Sequence, residues 1–263
     1  MQLFDRLIRP IKRYGFIYTI KRLYNKLFEG KIKQFSVIKE LFKDKEGIEI
    51  GGPSEVFRPF SYIPIYNHIK QLDGVNFSNN TIWEGHISSG YNYNYYNNKF
   101  GKQYIMDATD LSGIDSNKYD FLISSNCLEH IANPIKAIKE WERVVKPGGQ
   151  LLILVPNNKI GLDINRNITK FDHILNDFQG NIGEDDLTHL DEVLEKHNLK
   201  VDIEAVDFDY FKNRSINNFI HRTIHHHVFD INSIKELFSY LNFEILLLDD
   251  KYAFVTILAK KRC

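Results

Sequence analysis

The chain lacks several features that would assign it to a specialised class of protein. Its 263 residues include only two cysteines, Cys127 and Cys263, so no disulfide framework is available and a reducing, cytoplasmic location is expected. The formal net charge is zero, which gives no electrostatic bias toward nucleic acid. No apolar run of about 18 residues occurs and the amino-terminal residues lack a signal-peptide pattern, so neither a membrane span nor export is predicted.

The composition is that of a globular protein, with a compositionally distinct beginning. Hydrophobic residues make up 43% of the chain, enough for one large core and an added subdomain. Within residues 1–43, apolar residues recur at helical spacing around Pro10 and Gly15, and the polar positions are mostly Lys and Arg. We predict an N-terminal helical cap on a main domain at residues 44–263. The alternative is a basic amphipathic segment that makes a peripheral contact with an anionic membrane.

A strand followed by a glycine turn is the first functional signal. Ile48 and Ile50 are β-branched residues suited to a central parallel strand that is buried on both faces. Gly51 and Gly52 let the backbone turn sharply and approach a ligand closely. Glu49 lies at the carboxyl end of this strand, where open α/β sheets bind their ligands. A plain strand that ends in a Gly-Gly-Pro turn is the alternative interpretation.

A second segment, residues 119–157, predicts a strand, a helix, a stop and another strand. Residues 121–123 are a short apolar strand, and residues 151–155 (LLILV) are another. Between them, apolar residues repeat near a period of 3.6, which predicts a helix with one buried face. The sequence Lys-Pro-Gly-Gly at 146–149 then ends the helix. The helix face is made of Ile131, Ile135, Ile138, Trp141, Val144 and Val145.

The second segment resembles the LEH and RVLKPGG signature of the methyltransferase type 11 group, which are class I S-adenosylmethionine (SAM) methyltransferases. The resemblance covers residues 45–160 and implies an α/β fold: a Rossmann-like sheet of seven strands, the last antiparallel, with an N-terminal helical cap and an inserted helical substrate region. The G-x-G-x-x-G pattern of dinucleotide-binding dehydrogenases is absent. The matching residues are Leu128, Glu129, His130, Glu140, Arg143, Val144, Lys146, Pro147, Gly148, Gly149 and Pro156.

The resemblance also implies a set of residues that bind SAM. Glu49 would act through the amino group of the cofactor or through ordered waters, with the backbone of Gly51 and Gly52 near its carboxypropyl arm. The family usually reads E/D-x-G-x-G, whereas Pro53 stands here where the second glycine is expected, as in a subgroup that reads EIGGPS. The remaining predicted cofactor residues lie at later strand ends: Asp73 or Asn76 for the ribose, Asp107 and the backbone of Ala108 for the adenine, and Ser125 with Asn126.

Residues 89–99 are rich in tyrosine and asparagine (SGYNYNYYNNK). We predict a solvated loop of biased composition. The alternative is a lid whose tyrosines stack on a substrate ring.

Seven of the ten histidines lie between residues 158 and 230, in a predicted acceptor-binding insertion before a carboxyl-terminal β-hairpin. Residues 183–197 are predicted to form a helix with Asp185 and His189 on one face, four residues apart. Such a carboxylate could raise the basicity of His189 for general base catalysis. The spacing also suits two metal ligands, or an ordinary surface pair. In the HHHVFD run, an extended strand would point His225 and His227 one way and His226 the other.

The insertion resembles the carboxyl-terminal half of type 11 proteins associated with surface polysaccharide biosynthesis. The resemblance and the reaction class together imply SAM-dependent O-methylation of a sugar-related or phosphorylated small molecule, without nucleic acid. A metal-dependent methyltransferase and a non-catalytic SAM-fold subunit are the alternatives. The predicted catalytic residues are His189, Asp185, His173 and His227, and the predicted substrate-binding residues are Arg166, Asp186, Arg222, His225 and His226; no residue is assigned as a metal ligand.

Overall fold

An eight-stranded sheet forms the centre of the computed structural model, which describes residues 30–202, 205–251 and 253–262. Its strands are β1 (Glu46–Ile50), β2 (Gln71–Asn76), β5 (Gly90–Tyr96), β6 (Lys99–Ile105), β7 (Tyr119–Ser125), β8 (Val145–Pro156), β9 (Glu244–Asp249) and β10 (Phe254–Lys260). A separate two-stranded sheet pairs β3 (Asn80–Thr81) with β4 (Gly85–His86). The strand order is β5-β6-β2-β1-β7-β8-β10-β9.

The strand directions confirm the predicted parallel sheet with an antiparallel end. The five strands from β6 to β8 are parallel to their neighbours, and β10 runs antiparallel between β8 and β9. The strands β9 and β10 form the predicted carboxyl-terminal hairpin. The sheet has one strand more than predicted, because β5 adds antiparallel to β6 at the opposite edge.

The extra strand β5 corrects the prediction of a solvated loop at residues 89–99. Alternate side chains of β5 face the core, and Tyr93 and Tyr95 are each only 2% exposed. The period-two alternation of tyrosine with asparagine is the pattern of a strand with one buried face. Compositional bias obscured it, because tyrosine carries both a polar hydroxyl and a large apolar ring.

The helices cover both faces of the sheet and fill the segment between β8 and β9. Two 3₁₀ turns, Glu55–Phe57 and Leu128–His130, follow β1 and β7. The helices are α1 (Phe35–Phe42), α2 (Pro134–Val144), α3 (Phe171–Gln179), α4 (Leu190–Lys196), α5 (Phe208–Ile216), α6 (Asn218–His221) and α7 (Ile231–Tyr240).

Strand β8 shows how the sheet separates two hydrophobic clusters. Leu151, Ile153 and Val155 belong to the cluster that contains α2, α3 and α7, whereas Leu152 and Leu154 face the cluster that contains α1 and residues 56–69. Every one of these five side chains is at most 1% exposed. A continuous apolar run is what a central strand needs when both faces of the sheet are covered.

The predicted helix forms and ends before residues 146–149, although Ile131 and Val145 of its predicted face lie outside it. Helix α2 begins at Pro134, where the Asn133 side chain accepts a hydrogen bond from the Lys136 backbone N–H at 3.0 Å. After α2, residues 146–149 form a bulge within β8, because Tyr119 pairs with Val145 but Phe121 pairs with Gln150.

The predicted amino-terminal cap is described only from residue 30 onward. Its described end contains α1, whose Ile38 and Phe42 are fully buried, and Phe42 stacks on Phe121 with ring centroids 4.5 Å apart. Residues 1–29, with the predicted membrane contact, lie outside the described residues. In the part of the chain that the structure describes, no helix combines the length and the apolar character needed to cross a bilayer.

Candidate active site

The turn after β1 combines a glycine in a left-handed conformation with a buried carboxylate. Gly51 has φ +79°, and a Cβ built on it would lie 3.1 Å from Cys127. Below the turn, the fully buried carboxylate of Glu49 accepts hydrogen bonds from the Tyr66 and Tyr93 hydroxyls, both at 2.7 Å, and from the Ser54 backbone N–H at 3.0 Å. Burial raises the pKa of Glu49, although these hydrogen bonds oppose the rise.

A cavity of about 550 Å³ lies at the carboxyl ends of the parallel strands, beside this turn. Its size is typical of a small-molecule or cofactor site, and its place is where open α/β sheets bind ligands. The predicted cofactor residues Gly51, Pro53, Asn76, Asp107, Ala108, Ser125 and Asn126 line it, together with the predicted substrate residue Arg222 and with Glu184.

Three predicted cofactor residues lie behind the cavity wall. Glu49 supports the turn from below, and Gly52 packs on it, since a Cβ on Gly52 would meet the Glu49 carboxyl at 2.2 Å. Asp73 accepts hydrogen bonds from the Tyr119 hydroxyl at 2.7 Å and from the Lys102 backbone N–H at 2.8 Å. Of the two predicted ribose ligands, only Asn76 therefore lines the cavity. Asp73 instead forms hydrogen bonds between neighbouring strands.

Asn76 offers a free acceptor to a ligand in this cavity. Its side-chain N–H donates to the Gly52 carbonyl at 2.9 Å. Its Oδ1 is buried and has no hydrogen-bond partner within the described residues. An unpaired buried oxygen is costly, and a ribose hydroxyl could donate to it. The residues that line the cavity thus fit an adenosyl cofactor.

Arg222 closes one side of the cavity with two ion pairs. Its guanidinium lies 3.0 Å from Asp107 and 3.0 Å from Glu184, and it packs over the Phe77 ring at 5.1 Å. Burial raises the pKa of Glu184 to about 7, against the lowering effect of Arg222. Arg222 is thus paired with Asp107, and with Glu184 when that group is ionised, so its guanidinium is already engaged by internal acids.

A second cavity, of about 480 Å³, adjoins the first. The two cavities share a wall made of Trp83, Asn126, His130 and Phe254. At its far side are His197, Asp202 and Arg214, with the Asp202 carboxylate 2.8 Å from His197 and also paired with Arg214. The second cavity therefore has two aromatic and two polar residues where it meets the first, and further polar residues in His197, Asp202 and Arg214.

His130 occupies the shared wall with a defined tautomer. Its Nδ1 lies 3.0 Å from the Ile224 carbonyl oxygen, which can only accept, so Nδ1 carries the proton and Nε2 keeps its lone pair. Burial, followed by the nearby His225, lowers the pKa of His130 to about 3. The imidazole is therefore neutral at physiological pH. Its Nε2 lies 3.9 Å from Glu129.

His225 and Asp163 form an ion pair behind His130. His225 Nδ1 lies 2.5 Å from Asp163, and the His225 ring meets the His130 ring edge-on with centroids 4.5 Å apart. Burial alone would lower the pKa of His225, but the Asp163 carboxylate raises it. Arg166 is 3.0 Å from the same carboxylate and 3.3 Å from Glu192, so this predicted substrate residue is buried in a salt bridge.

The comparisons with known proteins identify the family. A family model described as a methyltransferase domain matches residues 21–248, most of the chain. The chain belongs to the methyltransferase domain family. This confirms the predicted enzyme, a SAM-dependent methyltransferase, and its cofactor. A search of functionally curated proteins finds no match.

The solved structures to which this chain is similar have low sequence identity to it. One is an S-adenosylmethionine-dependent methyltransferase from Mesorhizobium loti, which is 10% identical, with a TM-score of 0.50 over 86% of this chain and 95% of that one. Another is a SAM-dependent methyltransferase from Methanosarcina mazei, which is 16% identical, with a TM-score of 0.45 over 86% of this chain and 97% of that one.

The predicted helix at residues 183–197 is wrong in its first half. Residues 183–189 form turns, and only Leu190–Lys196 is helical. Asp185 is consequently exposed, and His189 instead lies 3.1 Å from His173, both through Nε2. Asp186 accepts from the Thr188 hydroxyl at 2.7 Å. Gly183 and the short polar residues that follow it favour turns over a helix. The prediction considered only the four-residue spacing of Asp185 and His189 and not these residue preferences.

The HHHVFD run is not a strand, so the predicted alternation of its histidines is also wrong. His225 turns toward Asp163, whereas His226 and His227 both approach His189, with ring centroids 6.0 and 5.9 Å from it. The histidines at 173, 189, 226 and 227 form one cluster, which we call the histidine cluster. None of its four members is among the described residues that line either cavity.

Two wall residues of this methyltransferase received no role from the sequence. His130 belongs to the LEH signature and lies in the 3₁₀ turn after β7, and that position beyond a strand end was an available signal. Glu184 binds the Ala132 backbone N–H at 2.9 Å as well as Arg222. Its place in the cavity depends on contacts between segments about fifty residues apart, which no local pattern encodes.

Proposed function

We propose that this methyltransferase transfers a methyl group to a hydroxyl of a sugar-related small molecule held in the second cavity. The observation that carries the proposal is the shared wall: His130 and Asn126 face both cavities. An acceptor in the second cavity would meet the cofactor at this wall. Methyl transfer requires such an in-line approach, which the enzyme provides mainly by positioning.

His130 is the proposed general base. When bound, SAM supplies an electrophilic methyl group. A hydroxyl acceptor must lose its proton during the transfer, and His130 Nε2 has a lone pair to accept it, because Nδ1 is bound to the Ile224 carbonyl. His130 is a weak base with a pKa of about 3, but it suffices because the hydroxyl proton becomes strongly acidic as its oxygen gains the methyl group. Cys127 lines the first cavity but is no competing nucleophile, since burial raises its pKa to about 12 and keeps the thiol protonated.

The walls of the second cavity favour an uncharged, hydroxyl-rich acceptor. Trp83 and Phe254 supply aromatic surface against which a sugar ring can pack. His197, Asp202 and Arg214 are paired with one another and supply a polar wall for hydroxyl groups. Both predicted phosphate-binding arginines, Arg166 and Arg222, are held by internal carboxylates. The resemblance to type 11 proteins of surface polysaccharide biosynthesis supports a carbohydrate acceptor, so we favour sugars over phosphorylated intermediates.

The test is mass transfer from SAM to a panel of sugars, nucleotide sugars, sugar phosphates and amines. We expect methylation of a sugar hydroxyl. The variant His130→Asn keeps a donor for the Ile224 carbonyl but removes the base, and it should lower kcat by about a hundredfold or more. Affinity for S-adenosylhomocysteine should change by only a few fold. The matched control is His86→Asn, at an exposed histidine of β4.

Three outcomes would contradict the proposal. Binding of S-adenosylhomocysteine without turnover of any acceptor would indicate a non-catalytic SAM-fold subunit. A preference for amines would overturn O-methylation. Full activity of His130→Asn would place the base elsewhere.

A further inference from the structure

We propose that the histidine cluster is a binding site for a divalent transition metal of the zinc class, held by His173, His189 and His227 beside the Asp177 carboxylate. These residues come from α3, from the turns before α4, and from the segment after α6. The site lies outside both cavities described above, and its occupancy does not depend on the proposed acceptor or base.

The distances within the cluster match the inner dimensions of a metal site. One ligand atom from each of the three histidines lies within 4.8 Å of the other two. His173 Nε2 is 3.1 Å from His189 Nε2 and 3.2 Å from Asp177 Oδ2, and His227 Nε2 is 3.6 Å from the same oxygen. Metal-to-nitrogen bonds of about 2.0–2.1 Å in a tetrahedron put neighbouring ligand atoms about 3.3 Å apart.

His173 and His189 are hydrogen-bonded to each other through Nε2, but two buried polar atoms beside them lack a partner within the described residues. Asp177 Oδ2 is buried and close to two imidazoles, yet it has no hydrogen-bond partner within the described residues. The Nδ1 of the fully buried His227 also lacks a partner there. Its Nε2 lies 3.3 Å from the Ala132 carbonyl oxygen, and a metal bound at Nε2 would replace that contact. Buried polar groups are nearly always hydrogen-bonded, and a bound ion is one recognised reason for an exception.

The donor set selects the class of metal. Three imidazole nitrogens with one nearby carboxylate suit zinc and similar divalent transition metals, whereas magnesium and calcium prefer oxygen ligands. His173 has 40% of its side chain exposed, which leaves a path for an ion from solvent. The negative charge of Asp177 would offset the charge of the cation.

The location gives the metal a structural role near the cofactor cavity. Within five residues of His189, Glu184 lines that cavity and pairs with Arg222 at 3.0 Å. A metal that joins His189 to His173 and His227 would fix the 183–189 turns against α3 and the main core. It would thereby restrict the motion of Glu184 without contacting the cofactor.

The test measures metal rather than methyl transfer. The full-length protein is treated with EDTA, dialysed and titrated with Zn²⁺ by calorimetry, and Co²⁺ is used as a spectroscopic probe of the ligands. We expect one equivalent of Zn²⁺, no competition by Mg²⁺, and a higher melting temperature with metal, because the ion binds only the folded state. His173→Ala and His189→Ala should each weaken Zn²⁺ binding at least about tenfold.

Both alanine variants replace partly exposed residues, and circular dichroism checks that they fold. His86→Ala, away from the cluster, is the matched control and should bind Zn²⁺ like the wild type. A wild-type protein that takes up no stoichiometric Zn²⁺ would overturn the proposal, as would variants that bind it unchanged. Neither result would bear on methyl transfer, which is assayed separately.

Discussion

Glu49 and Tyr93 are joined by a 2.7 Å hydrogen bond that ties the glycine turn after β1 to the edge strand β5. Both residues are buried, with the Glu49 side chain fully enclosed. The bond connects two segments that the sequence treats separately, a cofactor turn and a tyrosine-rich stretch. The turn is thus supported by β5 through Tyr93. Glu49 does not line the cofactor cavity, but its carboxylate holds the backbone of the turn that does.

We therefore predict that Tyr93→Phe destabilises the protein. The substitution removes one of the two tyrosine donors to a buried carboxylate, which should cost about 1–3 kcal/mol of the free energy of unfolding. Urea denaturation followed by circular dichroism measures this loss. Tyr91→Phe is the matched control, because Tyr91 lies on the same strand but is 67% exposed. Equal stability of the two variants would show that the Glu49 hydrogen bond contributes nothing.

A second prediction separates Asn76 from Asp73. Asn76→Ala removes the unpaired oxygen that faces the cofactor cavity, so we expect S-adenosylhomocysteine to bind about tenfold more weakly or worse. Asp73→Asn should leave that affinity unchanged and instead lower the melting temperature, because Asp73 binds Tyr119 and Lys102 between strands. Calorimetry and thermal unfolding give the two readouts. The reverse pattern would make Asp73 the ribose ligand.

The predictable part of this molecule is what local patterns encode. Residues 151–155 are apolar at every position, and this required a strand covered on both faces, which β8 is. The apolar period from Ile135 to Val144 required a helix with one buried face, which α2 is. Strand ends then placed Asn76, Asp107 and Asn126 at one edge of the sheet, because parallel strands share a carboxyl edge.

The unpredicted part depends on contacts between distant segments. His130 acquires its tautomer from the carbonyl of Ile224, ninety-four positions along the chain. His189 meets His173 rather than Asp185, because turns replace the predicted helix. The rule that residues four apart share a face holds only within a helix. Because the predicted helix started too early, His189 was assigned the wrong partner.

A third prediction concerns Gly51. Gly51→Ala puts a Cβ into a backbone of φ +79° and within 3.1 Å of Cys127, so it should lower both stability and affinity for S-adenosylhomocysteine. Gly85→Ala is the matched control, since Gly85 has φ +72° and a Cβ added there would meet no atom within 4 Å. The left-handed backbone should cost each variant about 1–2 kcal/mol of stability. Only Gly51→Ala should bind S-adenosylhomocysteine more weakly. Equal affinity in the two variants would show that the turn does not contribute to cofactor binding.

The last prediction concerns pH and Glu129. This carboxyl is buried, and neither oxygen has a hydrogen-bond partner within the described residues. Burial raises its pKa from 4.5 to about 7, although the nearby His225 opposes the rise. The folded protein therefore binds a proton more tightly here than the unfolded chain does. This preference makes Glu129 lower the stability as the pH rises from about 4.5 to about 7.

Glu129→Gln keeps the size of the side chain and removes its charge, so the variant should lose this part of the pH dependence. At pH 8 we expect it to gain up to about 3 kcal/mol relative to the wild type, and near pH 4.5 the two should unfold alike. Urea denaturation at several pH values measures both curves. Glu184, whose pKa burial also raises to about 7, leaves a residual slope in the variant. Parallel curves for the two proteins would mean that Glu129 ionises in the fold near its ordinary pKa, with the charge of His225 offsetting the effect of burial.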